Sequence, residues 1–275
     1  MQKIKNLIFI LVFTTTLFSC GEYQKVLNKG SIQDQYKMAT KMYEAQKYSK
    51  AITLFEKITP SYRGKPQMER IQYMVAQSHY NTKQYSLAAY YFDKFVKNYP
   101  KSSKVEEAAF LSAYSYYKAS PRYSLDQKDT NEALNAMQNF IFKYPTSDKV
   151  EEANKTIKEL NFKLEKKAFE IAKQYYTIQD YISAVTAFDN FLGDYLGSSL
   201  KEDAMYYKFK AAYKLGINSY ITKKEERLKK AIKTEERLER NFPKSLYLVE
   251  IKKLKKDLKN QLKSVKTLKK QTNGL

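Results

Sequence analysis

Tyr85-Ser-Leu-Ala88-Ala-Tyr-Tyr-Phe92-Asp-Lys-Phe95 belongs to a pattern that recurs along the chain and decides its fold. Tyr48-Ser-Lys-Ala51-Ile-Thr-Leu-Phe55-Glu-Lys-Ile58 and Tyr181-Ile-Ser-Ala184-Val-Thr-Ala-Phe188-Asp-Asn-Phe191 share its frame, Tyr-x-x-Ala-x-x-x-Phe-x-x-apolar. Looser copies run through Ala133, Met137 and Phe140, and through Ala231, Glu235 and Leu238. Ala, Phe and the next apolar residue fall at i, i+4 and i+7, which is one face of a helix. Twelve residues before the Ala stands another Ala in three copies: Ala39, Ala76 and Ala172. In the other two the partners, Ala113 and Ala212, lie farther back, so the expected turns there carry insertions. These insertions, between Ala119 and Asn131 and between Leu215 and Arg227, read as surface loops. Ala153 has no place in this register.

Composition agrees with a helical chain. Seven Gly and six Pro among 275 residues leave little material for the tight turns of a sandwich or barrel. A hydrophobic fraction of 43%, with 25 Tyr and 15 Phe, is enough to fill a core. One Cys cannot form a disulfide within the chain, and one Cys with one His cannot supply a His/Cys zinc cluster without other residues. No cofactor is expected. His79 takes a helix position equivalent to Tyr116 one repeat later and reads as a packing residue. The acid pairs Glu106-Glu107, Glu151-Glu152 and Glu225-Glu226 read as solvated charge near helix starts, and the usual hydrolase, Walker and metalloprotease motifs do not occur. The chain is expected not to be an enzyme.

Residues 1–19 read as a lipoprotein signal peptide. Lys3 and Lys5 precede the apolar run Leu7-Ile8-Phe9-Ile10-Leu11-Val12-Phe13, which is too short to span a bilayer. Leu17-Phe18-Ser19-Cys20-Gly21 then resembles a lipobox, and Cys20, the sole Cys, stands where the acyl acceptor belongs. The resemblance implies cleavage before Cys20, lipidation, and a lipid tether in the membrane. The expected order is a lipidated linker over residues 20–31, five helix pairs over 32–246 and a basic C-terminal helix or tail over 247–275. Residues 244–275 hold ten Lys against Glu250 and Asp257, with Ile251, Leu254, Leu258, Leu262, Val265 and Leu268 spaced as an amphipathic stripe. The stripe is expected to cap the last repeat. Its lysines are either merely solvated or a docking face for an acidic partner or lipid head groups. Export makes nucleic acid an improbable partner for this basic chain.

The paired alanines resemble tetratricopeptide repeats, with Pro100, Pro145 and Pro243 at the closing position and Arg63 and Leu196 replacing Pro in the first and fourth copies. The implied fold is all-α, a tetratricopeptide-repeat α-solenoid of about five helix pairs with a C-terminal amphipathic helix. Glu235 breaks the aromatic pattern of the fifth copy. In such repeats the residue four after the first-helix Ala lines a concave groove. Tyr43, Tyr80, Tyr117 and Tyr176 stand there, and Tyr36, Tyr73, Phe110 and Phe169 lie seven residues earlier. Tyr36, Tyr43, Tyr73, Tyr80, Phe110 and Tyr117 are therefore the candidate peptide groove; the alternative is that they pack between repeats.

A lipobox followed by divergent repeats, with junctions such as Tyr99-Pro100-Lys-Ser102 and Phe242-Pro243-Lys-Ser245, resembles the BamD family of outer-membrane assembly lipoproteins. Asp93-Lys-Phe95-Val-Lys-Asn-Tyr99-Pro100-Lys-Ser102 carries the resemblance best. The family implies a non-enzymatic scaffold of the β-barrel assembly (BAM) complex on the periplasmic face of the outer membrane. Its later repeats dock on the POTRA domains of a BamA-type barrel subunit beside other assembly lipoproteins, and its first repeats receive unfolded outer-membrane proteins. No contact residue carries over from the family. A periplasmic repeat lipoprotein coordinating cell-wall synthesis shares the same architecture. An enzyme with an appended repeat domain would need more chain than the 29 residues beyond the repeats.

Overall fold

The computed structural model describes residues 21–272; the expected signal peptide and Cys20 lie outside the described residues. Helices succeed one another as α1 (residues 21–29), α2 (Ile32–Glu44), α3 (Tyr48–Ile58), α4 (Gln67–Asn81), α5 (Tyr85–Asn98), α6 (Val105–Ala119) and α7 (Lys128–Lys143). Then come α8 (Val150–Thr177), α9 (Tyr181–Asp194), α10 (Lys201–Ile217), α11 (Ile221–Asn241) and α12 (Leu248–Thr272). The segment expected to be a linker is thus largely helical. Tyr23 is buried in the first core cluster and its hydroxyl donates to the Lys50 carbonyl at 3.1 Å.

All ten repeat alanines are buried, from Ala39 and Ala51 to Ala212 and Ala231. A methyl group is all that fits where two helices of a pair touch, and the Phe four residues on fills the gap to the next pair. Phe55, Phe92 and Phe188 are each fully enclosed. The described chain divides into two compact units. One holds the residues up to Pro121 with Asp126–Leu160, the other Arg122–Leu125 with Asn161 onward.

Two local devices recur where the chain turns. Within pairs, α2–α3, α4–α5 and α8–α9 are joined by three-residue turns whose middle residues, Gln46, Lys83 and Gln179, have φ of 57°, 61° and 66°. A left-handed residue is what lets so short a link reverse the chain, and here side-chain-bearing residues accept the strain that Gly would avoid. Between pairs, the corners beginning at Tyr99, Tyr144, Tyr195 and Phe242 each hold a serine three residues on whose side chain turns the backbone just ahead of the next helix. Ser102, Ser147, Ser198 and Ser245 Oγ accept from the backbone N–H of Lys104, Lys149, Leu200 and Tyr247 at 3.1–3.2 Å.

The first insertion is a loop, residues 120–127, as expected. The second is not. Only Asn218 to Tyr220 separate α10 from α11, and the additional residues lengthen α11 to 21 residues. Its Glu-Lys-Arg-rich start is helix-forming, and i,i+4 pairs Glu225–Lys229 and Glu226–Lys230, both 2.7 Å, hold it.

Ala153 also departs from the expectation. It is 0% exposed, packed in the cluster of Phe110, Ala113, Met137 and Phe140. Helix α8 is 28 residues long because it runs through a repeat position before reaching Ala172. Val150-Glu-Glu-Ala153 in fact copies Val105-Glu-Glu-Ala108, and Ala108 is equally buried. Ala153→Leu is therefore expected to cost about 1–3 kcal/mol by overpacking, as much as Ala88→Leu or Ala184→Leu. Urea unfolding midpoints of the three variants check this; a neutral Ala153→Leu would refute the packing.

Candidate functional site

The six candidate groove residues all belong to the first unit, on α2, α4 and α6. The Tyr43 hydroxyl donates to Gln77 Oε1, and Gln77 Nε2 donates to the Tyr73 hydroxyl at 3.2 Å. Tyr73 continues the relay to Glu107, whose other partner is Lys104 Nζ at 2.9 Å. Burial first, then the hydrogen bond to Glu107, pushes the Tyr73 phenol well above the usual tyrosine range. Burial pushes the Glu107 carboxyl up, but the bonds from Lys104 and Tyr73 outweigh it and hold the group below its ordinary value. Glu107 is thus an inter-repeat acceptor, not the merely solvated charge expected.

Farther along, Tyr117 donates to Glu159 Oε2 at 2.5 Å, and this bond, followed by burial, raises its phenol to about 12. Tyr36 packs its ring on Tyr62 at 5.4 Å, and Tyr80 meets Tyr85 edge-on at 5.7 Å. Neither hydroxyl has a hydrogen-bond partner among the described residues. Phe110 is only 5% exposed, pressed between Phe140 and Tyr114. Phe110 is thus a core residue, and the five tyrosines fall into two kinds. Tyr43, Tyr73 and Tyr117 tie adjacent first helices together through their hydroxyls and present ring faces; Tyr36 and Tyr80 keep theirs free.

An open cleft of about 480 Å³ brings Tyr43 and Tyr73 together with Phe95, Met74, Glu44, Glu69, Arg70 and Lys104. Its floor is aromatic and its rim carries both signs of charge, with Arg70 and Glu44 3.8 Å apart. Lys104 Nζ stands 5.7 Å from the Tyr73 ring centroid. Such a surface can seat an apolar or aromatic side chain of an extended segment while its backbone meets charged side chains. Tyr36, Tyr80, Phe110 and Tyr117 do not line this cleft.

The sequence reading missed a set of clasps that the repeated motif itself contains. The acid after each Phe faces the next pair. Asp93 accepts from Ser112 at 2.7 Å and Tyr116 at 3.0 Å, Asp189 is paired with Lys208, and Glu56 lies 3.9 Å from His79. Their recurrence one residue after Phe55, Phe92 and Phe188 was the available signal. His79 is buried, stacked on Tyr91 at 4.8 Å, with Nδ1 2.8 Å from Gln84 Oε1. This is a packing role. Among the described residues no cluster of His, Cys, Asp or Glu could hold a metal ion, and no helix is long and apolar enough to cross a membrane.

Paired helices with buried alanines at their crossings, joined by repeated left-handed turns and by corners that each hold a serine turn, define an all-α protein of the tetratricopeptide-repeat type. The model of the YfiO family, described as outer membrane lipoprotein, matches residues 28–228 and 165–267, and the chain belongs to that family, the one also called BamD. Among solved structures it is similar to the TPR2AB-domain:pHSP90 complex of yeast Sti1, at 15% identity and a TM-score of 0.36 over 83% of this chain and 98% of that one. No curated protein matches the chain.

Proposed function

We propose that this chain is a non-enzymatic scaffold of the outer-membrane β-barrel assembly complex, anchored through acylated Cys20 on the periplasmic face. It docks on a BamA-type barrel subunit beside other assembly lipoproteins and receives unfolded outer-membrane proteins in the groove of its first repeats. Family membership over nearly the whole described chain is the observation that carries this reading. The cleft built on Tyr43 and Tyr73 supports the substrate role. Barrel strands alternate aromatic and polar residues, and a ring-faced cleft accepts many such segments without close fit.

Depletion of the protein should lower many different barrels in the outer membrane together. Intact barrel levels with a defect confined to septal cell-wall growth would put a cell-wall scaffold in its place. In the purified protein, Tyr43→Ala with Tyr80→Ala should weaken binding of carboxy-terminal barrel peptides, read by fluorescence anisotropy, with circular dichroism reporting the fold. Tyr43→Phe, which keeps the ring and loses only the bond to Gln77, should bind nearly as the parent does. Peptide affinity insensitive to the double variant refutes the groove. The anchor has its own test: Cys20→Ala should move the protein out of the membrane fraction or stall its processing, because lipid chains supply most of the membrane affinity.

A further inference from the structure

Helix α12 settles its apolar stripe against the last pair. Ile251, Leu258 and Val265 are buried on α10 and α11, with Leu254 and Leu262 beside them. Two of its lysines are consumed there: Lys255 by Glu235 and Glu239, and Lys269 by Glu225. Lys253 is exposed on the flank of the helix, while five of the others share one line. Lys252, Lys256, Lys259, Lys263 and Lys266 come at intervals of four, three, four and three, so all five stand in one row along about 21 Å of helix. Every one is exposed, and none forms an ion pair among the described residues; Glu239 acts on Lys252 from a distance. The same row begins with an apolar residue, Val249, 86% exposed, and Leu246 in the preceding corner is 95% exposed. A merely solvated lysine face would not need either.

We infer that this row is a membrane-contacting face that binds the anionic head groups of a phospholipid surface, with Leu246 and Val249 entering the interfacial layer. A straight file of uncompensated ammonium groups on a rigid helix complements a plane of phosphates, and each lysine held near such a surface multiplies affinity about fivefold. Two exposed aliphatic side chains at one end of the row add the shallow apolar insertion that amphipathic surface helices use. The inference goes beyond the assembly role and stands independently of it.

The test uses the mature chain with Cys20→Ala, so that no acyl group masks the contact, and co-sedimentation with phosphatidylcholine vesicles with or without one third phosphatidylglycerol. Binding to the anionic vesicles only, abolished by high salt, is expected. Lys256→Gln with Lys259→Gln and Lys263→Gln should weaken it about 100-fold without lowering the unfolding temperature, since these side chains have no partner to lose. Val249→Ser should weaken it further. Equal binding of parent and triple variant, or equal binding to both kinds of vesicle, overturns the proposal. So does binding to polyglutamate without binding to vesicles, which would assign the row to an acidic protein.

Discussion

Replacing Lys255 by Met should destabilise the protein by about 3–5 kcal/mol at neutral pH, a loss readable as a fall in the urea midpoint. The reason lies at Glu235, which occupies the position held by Phe55, Phe92 and Phe188 in other repeats and is 0% exposed. Its Oε1 lies 2.8 Å from Lys255 Nζ, which lies equally close to Glu239. Removing the lysine leaves a buried carboxylate with no counter-charge. Glu235→Met with Lys255→Met, which restores an apolar contact, should instead be neutral or stabilising by about 1–4 kcal/mol. The pair also predicts a pH dependence. Burial, opposed by Lys255 and reinforced by Glu239, holds the Glu235 carboxyl above its ordinary value. The folded state therefore binds this proton more tightly than the unfolded chain. The stability it contributes is full at low pH and is lost as pH rises through the raised value. Glu239, held low first by Lys255, works in the opposite direction, losing its contribution as pH falls. Glu235→Gln should abolish the first component; an unchanged pH profile in that variant contradicts the assignment.

Phe188→Ala should cost about 3–5 kcal/mol, the sum of lost transfer energy and a cavity its neighbours cannot fill. Phe188 is fully buried, edge-on to Phe169 at 5.9 Å and stacked near Tyr207 at 6.2 Å, over Ala172 and Ala204. Those alanines are held by their own helices and cannot move inward. Phe142→Ala, at a side chain 89% exposed, should stay within about 0.5 kcal/mol of the parent. Chemical denaturation of both variants makes the comparison, and equal losses would mean that the cluster is not close-packed.

The spacing of Ala, Phe and the next apolar residue determined which faces are buried, because a helix of fixed pitch puts i, i+4 and i+7 on one side in any surroundings. That is why all ten alanines, the fully enclosed phenylalanines and the stripe of α12 from Ile251 to Val265 were legible from the chain alone, whereas Leu268, expected in the same stripe, is 53% exposed near the end of the helix. Two features were written in the sequence and not read from it: the second Val-Glu-Glu-Ala at Ala153, and the acid immediately after each Phe. The tertiary structure alone decided what lies opposite those faces. Tyr43 meets Gln77 and Tyr117 meets Glu159, partners 34 and 42 residues away, so whether a groove tyrosine clasps or stays free depends on the neighbouring helix. Glu235 breaks the repeat when read along the chain and completes an ion pair across it. The turns at Gln46, Lys83 and Gln179 adopt left-handed backbone without Gly because packing of the two helices on either side fixes the link. Periodicity reports a face, which is a local property; a partner is set by how separate helices dock, which no local pattern encodes.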